Sequence, residues 1–506
     1  MPKHLFEVNE FSEEVGAGAA FGDDALPHAG SDGGALDAWT SAATGVLSGA
    51  ALGAWSGSAL GAIPELDLPL SKSVWNRLQV LRVVVPDRVD LGEWPEAGAP
   101  DAGASQSDTS SGTAGAPEDV LAMARAVEAV RRSCETDTWQ QVDVGPAGTA
   151  WRFGLALALA TPGAKVVLEG HARLQERPIE PLVKALRSLG AELEGGVPPH
   201  QCTGRRLRGG PCTLDASASS QHLSALLLIA PLLEEPLEVH LTAPLVSAPY
   251  AHMTAALLHR VGYSVSVEEA TWRVRPLSNS NGGPLPKPVV FERDPDWSAA
   301  AVHGAVAALT GKPALLRDLR LDSLQGDRAV GALLANLGVR MESVPGGILV
   351  AAPQGVPAVP SKSSNTLGNG HTPLAWDFSE IPDTAQPLLA AAMALGRSGK
   401  AVGLHTLAGK EINRMNGLLE LAEVLGVSCT ADADSFSFSP GPNFGHGQEG
   451  LSGPGSPQHR SAQGDHRQAF AWALVGLRVP VSVSDPDCVR KSYPDFWRNF
   501  SVHVGA

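Results

Sequence analysis

Basic residues are what this sequence has too few of: 38 Lys and Arg stand against 53 Asp and Glu, a formal net charge of −15. A phosphate backbone or an anionic membrane needs a basic face, so general nucleic-acid binding and membrane-surface binding are excluded as primary roles. Cysteine is scarce too. The five (Cys134, Cys202, Cys212, Cys429, Cys488) are scattered and never form a CxxC pair, which excludes a disulfide framework and a cysteine zinc site and fits a reducing compartment. No GxxxxGK[ST] occurs, so phosphate handling through a nucleotide P-loop is also excluded. Only 5% of residues are aromatic, yet 43% are hydrophobic in a chain of 506, enough for two or more globular domains.

The first 36 residues contain Glu7, Glu10, Glu13, Glu14, Asp23 and Asp24 against one Lys and no Arg, the opposite of a transit peptide and without a secretory apolar core. A cytoplasmic location is expected, or a plastid if the source is a photosynthetic eukaryote. Between Ala38 and Pro64 no charge occurs, and Gly45, Gly49, Gly53, Gly57 and Gly61 recur every fourth residue. Small-residue spacing of this kind suits packed membrane helices. The intervening Ala, Ser and Thr give weak transfer energy and glycine is a poor helix former, so residues 1–62 read as a Gly/Ala-rich extension and not a membrane span.

Stretches rich in Gly, Ser and Pro at 94–117, 276–288, 353–372 and 439–462 read as surface loops or insertions. Between them one pattern repeats: ALRSLGAELE at Gly190, LLHRVGYSVSV at Gly262, LLANLGVRMESV at Gly338 and LAEVLGVSCTA at Gly426. Each predicts a helix end, a glycine C-cap and a following strand. The spacings of 72, 76 and 88 residues indicate whole α/β units, several to a lobe, with two lobes in the chain.

The chemistry is carried by helix starts. QGDHRQAFAWAL puts His466 and Arg467 where a helix already presents positive charge, an unfavourable place unless something negative lies opposite. Either Asp465 caps that helix and neutralises Arg467 locally, or an anion binds there. The pattern recurs. Lys72 and Ser73 precede a predicted helix with Arg77 one turn inside. Gly148 and Thr149 open another, with Arg152 in its first turn. Arg177 stands just ahead of Pro178, a favourable first helical residue. Ser219, Ser220 and Gln221 open a fourth, and Lys410, Glu411 and Arg414 a fifth. Each alone is ordinary capping. Together, five of six ends carry Lys or Arg at the unfavourable pole, which points to convergence on phosphate or carboxylate groups. Asp377, Glu380 and Asp383 precede an apolar helix, where one can cap and another act as a base. Glu411, between Lys410 and Arg414, is expected to be held ionised or poised for proton transfer.

In this order, SKSxxNR, AGTAxRF, RxxERPI, SSQxxSALL, SxPYxxMT, DWSAAA, LQGD, IPDTAQ, KExxR, DHRxAFA and KSYPDFW resemble the blocks of the 5-enolpyruvylshikimate-3-phosphate synthase family, over about residues 66 to 500. The resemblance implies an α/β fold of two lobes, each of three repeated βαβαββ-type units, with the active site in the cleft between them. One lobe would span 72–290 on the shikimate 3-phosphate side. The other would comprise 63–71 plus 291–506, on the phosphoenolpyruvate and proton-transfer side. The implied reaction moves the enolpyruvyl group of phosphoenolpyruvate to the 5-hydroxyl of shikimate 3-phosphate and releases phosphate, with no metal or organic cofactor, in the shikimate pathway to chorismate and aromatic amino acids. A monomer is expected.

By the same resemblance Lys72, Ser73, Arg77, Ser219, Ser220, Gln221, Ser247, Tyr250, Asp383 and Lys410 would hold shikimate 3-phosphate. Lys72, Gly148, Arg177, Gln221, Arg414, Arg467 and Lys491 would surround phosphoenolpyruvate, supported by Thr149, Arg152 and His466. Asp383 would be the base at the hydroxyl, Glu411 would exchange a proton with the methylene carbon, and Lys72 would assist. Retention of Gly148 implies a pocket that admits glyphosate. Departures are Leu70 for a glycine, Pro146 for Asn or Ala, Ala408 for a basic residue, and Gln468 where the family has Met. The alternatives are the sister transferase acting on UDP-N-acetylglucosamine, which uses a cysteine on a mobile loop, and a non-catalytic homologue.

Overall fold

The computed structural model describes residues 63–92, 115–194, 197–277, 288–352, 372–442, 444 and 457–505. The extension 1–62, its glycine-spaced stretch and most of the four low-complexity segments lie outside these. Among the described residues no helix is long and apolar enough to cross a membrane.

The repeats become visible as sheets. Three four-stranded sheets share one pattern: 65–66, 314–317, 347–351, 340–344; then 374–377, 399–402, 436–440, 427–431; then 210–214, 237–241, 271–276, 263–268. In each, the first two strands are parallel, the third runs antiparallel to the second, and the fourth closes a hairpin with the third. A helix crosses between the parallel strands, since parallel neighbours need a long connection. A sheet of 140–143, 165–169 and 200–203 repeats the first three positions, and two-stranded pairs (89–90 with 289–290, 458–460 with 481–483) give the remaining units.

The helix-ending glycines behave as their sequence context predicts. Gly190, Gly262, Gly338 and Gly426 all have positive φ, from 69° to 103°, a region where a side chain is strained. A strand follows directly at Tyr263–Glu268 and Val427–Ala431, and one residue later at Arg340–Val344. After Gly190 the expectation fails. Residues 191–194 form no strand, and the next begins at His200.

The described residues all fall in one compact unit, which holds two hydrophobic cores. One collects apolar side chains from Leu70 to Phe291, the other Leu66, Leu68 and those from Trp297 to Phe496. The chain thus leaves the second lobe, builds the first, and returns. The two crossings run side by side: Ser71 N donates to Asp294 O at 2.9 Å, Asp296 N donates to Pro69 O at 2.9 Å, and Leu70 bridges Pro295. Leu70, one of the departures, is therefore a buried hinge residue.

Candidate active site

Helix N-termini of both lobes bring the polar residues together, though two starts differ from expectation. Lys72 and Ser73 lie inside the helix Lys72–Val84, whose cap is Ser71. Pro178 is not helical; the helix Glu180–Ser188 opens after Ile179 and carries Pro181 in its first turn, leaving Arg177 in extended backbone at the end of the preceding turn. The other starts agree: Gly148–Ala160, Gln221–Ile229, Arg414–Leu425 and His466–Gly476.

On the second lobe acids and bases are matched. The buried Arg414 gives Nε to Asp465 Oδ2 at 2.8 Å, Nη2 to Glu411 Oε2 at 2.9 Å and Nη1 to Asp383 Oδ1 at 3.2 Å. Lys410 Nζ also reaches Asp383 Oδ1 at 3.2 Å, and Lys491 Nζ reaches Glu411 Oε1 at 2.5 Å. Burial alone pushes both carboxyls upward. For Asp383 that push is outweighed by Lys410, Arg467, Arg414 and Lys72; for Glu411 by Lys491 and Arg414, with Arg177 adding to them; both stay well below the usual carboxylate range. Asp383 is therefore no helix cap. It precedes Thr384, the cap of Ala385–Ala394, and spends its charge on cations. Asp377 caps a turn at Ser379, and burial raises Glu380.

Asp465 resolves the question posed by the basic helix start. Its Oδ1 caps the helix by accepting from Arg467 N at 2.8 Å, but its charge goes to Arg414, not Arg467. Arg467 donates Nη2 to Ser298 Oγ at 2.8 Å, and its buried Nε has no partner among the described residues. Burial, then Lys72 and Arg467, hold His466 neutral, with both ring nitrogens unpartnered among the described residues.

The first lobe is different. Arg152, also buried, donates to Gln221 Oε1 at 2.9 Å, Pro178 O at 2.8 Å and Gly148 O at 3.3 Å, and to no carboxylate among the described residues. Burial, then Arg177, lowers it well below the ordinary arginine value. A methyl at Gly148 would overlap Arg177 Nη1 and lie 2.8 Å from its Cζ and 3.0 Å from Arg152 Nη1, so glycine lets two guanidinium groups crowd a bare helix start. Thr149 sits beside it in the first turn. Arg77, predicted to reach a ligand, is taken up largely by the protein: Thr254 Oγ1 at 2.7 Å, Ser73 O at 2.6 Å, Tyr250 O at 2.9 Å and Ser224 Oγ at 3.1 Å. Burial pulls it down to about 10. Ser219 Oγ accepts from Gln221 N at 3.3 Å, and Ser220 is the helix cap by position.

Across the cleft, Arg173 Nη2 donates to Lys410 O at 3.3 Å, while Lys72 and Arg177 act electrostatically on Asp383 and Glu411. The four cations Lys72, Arg177, Lys410 and Arg467 share one neighbourhood. Two acids escaped the sequence reading. Asp119 pairs with Lys72 at 3.3 Å, and Asp327 accepts from Tyr250 Oη at 3.2 Å. Asp327 lay in the quoted LQGD block, a usable signal; Asp119, in a run of ordinary helix-opening acids, offered none.

The family model for EPSP synthase (3-phosphoshikimate 1-carboxyvinyltransferase) matches residues 119–500. The chain belongs to this family. A 3-phosphoshikimate 1-carboxyvinyltransferase from Bacteroides fragilis is 33% identical over 384 residues, 73% of this chain and 86% of the relative. Another from Nitrosomonas europaea is 31% identical over 71% of this chain and 78% of its own length. Among solved structures, EPSP synthase from Acinetobacter baumannii superposes with a TM-score of 0.57 at 20% identity, over 87% of this chain and 97% of that one, a likeness of fold.

Proposed function

We propose that this member of the EPSP synthase family transfers the enolpyruvyl group of phosphoenolpyruvate to the 5-hydroxyl of shikimate 3-phosphate. The observation that carries the site assignment is the clasp of two ionised carboxylates, Asp383 and Glu411, by Lys410, Arg414 and Lys491, facing Lys72 and Arg177 of the other lobe.

In the ligand-free site Glu411 is a carboxylate, not an acid. Phosphoenolpyruvate competes for Lys491 and Arg414, relieves the field that holds Glu411 ionised, and lets it carry the proton delivered to the methylene carbon. Protonation there builds positive charge at the adjacent carbon. The 5-hydroxyl attacks that carbon and Asp383 accepts its proton, giving a tetrahedral adduct. Loss of a methyl proton to Glu411 and departure of phosphate restore the double bond. Lys72, Lys410 and Arg414 stabilise the leaving phosphate, while Arg152 and Arg177 at Gly148 receive the donor's charge. The first lobe's Ser73, Arg77, Ser219, Ser220, Gln221, Ser247 and Tyr250 hold shikimate 3-phosphate, with Arg77 acting mainly by fixing Ser73 and Tyr250. Closure of the lobes 72–290 and 63–71 plus 291–506 on two anions converts their encounter into an intramolecular reaction. A reducing compartment accords with five free thiols.

The cysteines weigh against the sister transferase. Cys202 and Cys212 are buried. Cys488, in the turn that carries Lys491, has its thiol pushed up to about 12 by burial and by Asp485 and Asp465, too high for a nucleophile. The test is phosphate release by purified protein. Release from phosphoenolpyruvate with shikimate 3-phosphate supports the proposal, release only with UDP-N-acetylglucosamine replaces it with the sister activity, and binding of both anions without release makes the chain a non-catalytic homologue.

A further inference from the structure

Two turns meet across the cleft beside the carboxylate clasp, within electrostatic reach of Asp383. On the first lobe, Ser247 adopts the left-handed region (φ 49°, ψ 48°), uncommon for a residue with a side chain, and starts the helix Ala248–Arg260 with Pro249 in its first turn. On the second lobe, residues Gly326–Ala329 form a short turn. A methyl at Gly326 would overlap Pro249 Cβ and stand 3.1 Å from its Cγ. Pro249 cannot swing aside, because a proline ring within a helix has no rotamer to change, so the backbone of one turn must shift. Beside this contact Tyr250 Oη donates to Asp327 Oδ2 at 3.2 Å, while the buried Oδ1 has no partner among the described residues.

The same turn is tied to the hinge. Gln325 Nε2 donates to Pro295 O at 2.7 Å, and its Oε1 accepts from Trp297 N at 2.9 Å. Pro295 lies between Asp294 and Asp296, whose backbones bond to the other crossing strand at Ser71 and Pro69. On the first-lobe side, Arg77 Nη2 holds Tyr250 O at 2.9 Å, so the tyrosine backbone is fixed to the helix that starts at the hinge. A displacement at Tyr250 thus has continuous hydrogen-bonded routes to both crossings.

We propose that the contact of Pro249 and Tyr250 with Gly326 and Asp327 is the latch that holds the cleft closed, with Gly326 and Asp327 as positioning residues that couple occupancy at Ser247 and Tyr250 to the meeting of the lobes. The proposal rests on the reading of Ser247 and Tyr250 as part of the shikimate 3-phosphate site. Gly326 supplies the space that only full closure uses, and Asp327 supplies the acceptor that makes the closed state specific.

Small-angle scattering and phosphate-release kinetics test it together. Wild-type protein is expected to contract on adding shikimate 3-phosphate. Gly326→Ala is expected to keep its far-ultraviolet spectrum and to bind shikimate 3-phosphate within about threefold of wild type, but to contract little and to lose about tenfold or more in kcat, because the binding surface survives while closure does not. Asp327→Asn, which retains an acceptor for the Tyr250 hydroxyl, restores most of the turnover that Asp327→Leu loses; a merely structural role for the turn would not separate these two. Contraction and kcat of Gly326→Ala within about twofold of wild type overturn the latch, as does a wild type that does not contract. A wild type that contracts but releases no phosphate breaks the functional reading instead, and the contrast in contraction between wild type and Gly326→Ala still decides the latch.

Discussion

Arg414 and Arg152 are equally buried, 2% and 1% exposed, and their surroundings are opposites. Arg414 is ringed by Asp465, Glu411 and Asp383; Arg152 touches an amide and two carbonyls and has Arg177 for a neighbour. A buried cation without an anion is costly, and a second cation beside it adds to the cost. The second lobe therefore carries a self-neutralised cluster that keeps two carboxylates ionised and fixed. The first lobe carries an unmatched one, and under the proposed function the anion it lacks is a substrate's.

The largest effects should come from unbalancing the matched cluster. Asp383→Ala and Glu411→Gln are expected to lower phosphate release about 10²–10⁴-fold with the fold intact by circular dichroism. Asp465→Asn preserves an acceptor for the helix cap but strips Arg414 of its closest anion, and should cost about 3–5 kcal/mol in denaturant unfolding. On the unmatched side the sign for stability reverses: Arg177→Gln removes a cation that repels Arg152 and that acts on Glu411 less than Lys491 and Arg414 do, so the ligand-free protein should unfold no more easily than wild type, while KM for phosphoenolpyruvate rises about tenfold or more. Gly148→Ala drives a methyl into Arg177 and should raise the same KM by a similar or smaller factor, leaving kcat closer to wild type.

The smallest effect lies outside the cleft. His303 and His503 meet through Nδ1 atoms 3.1 Å apart, with His303 Nε2 on Tyr493 Oη at 2.9 Å. Burial depresses both, His503 to about 4, so the unfolded chain takes up protons first as pH falls. Stability is then full above about 6.5 and lost toward pH 4. Replacing His503 by Gln should remove roughly 2 kcal/mol of that loss, measured as unfolding free energy between pH 7 and pH 4.

What could be read from sequence followed the range of the forces involved. Gly262, Gly338 and Gly426 declared helix ends because backbone handedness is a local property, and the strands came where expected. Pro178 misled because a fixed φ suits extended backbone as well as a first helical turn, and Pro181 was the helical one. The family blocks named every residue of the clasp. They did not reveal who neutralises whom: Arg414 and Asp465 are 51 positions apart, and the cap reading of Asp465 was right about its backbone bond and wrong about its charge. Arg77 looked like a ligand contact by pattern, but its four partners come from 73, 224, 250 and 254, and only folding shows that they exhaust most of its donors. Tyr250 and Asp327 each stood in a quoted block, but their meeting across 77 positions belongs to the two lobes jointly and shows only in the fold.

The division into a matched and an unmatched cluster is tested most directly by the change in thermal unfolding temperature of Arg177→Gln on adding shikimate 3-phosphate with phosphoenolpyruvate. The account predicts a ligand-free midpoint at or above that of wild type and a much smaller rise on adding the two substrates. A lower starting midpoint with the full wild-type rise would mean that Arg177 serves the fold and not the anion, and would contradict it.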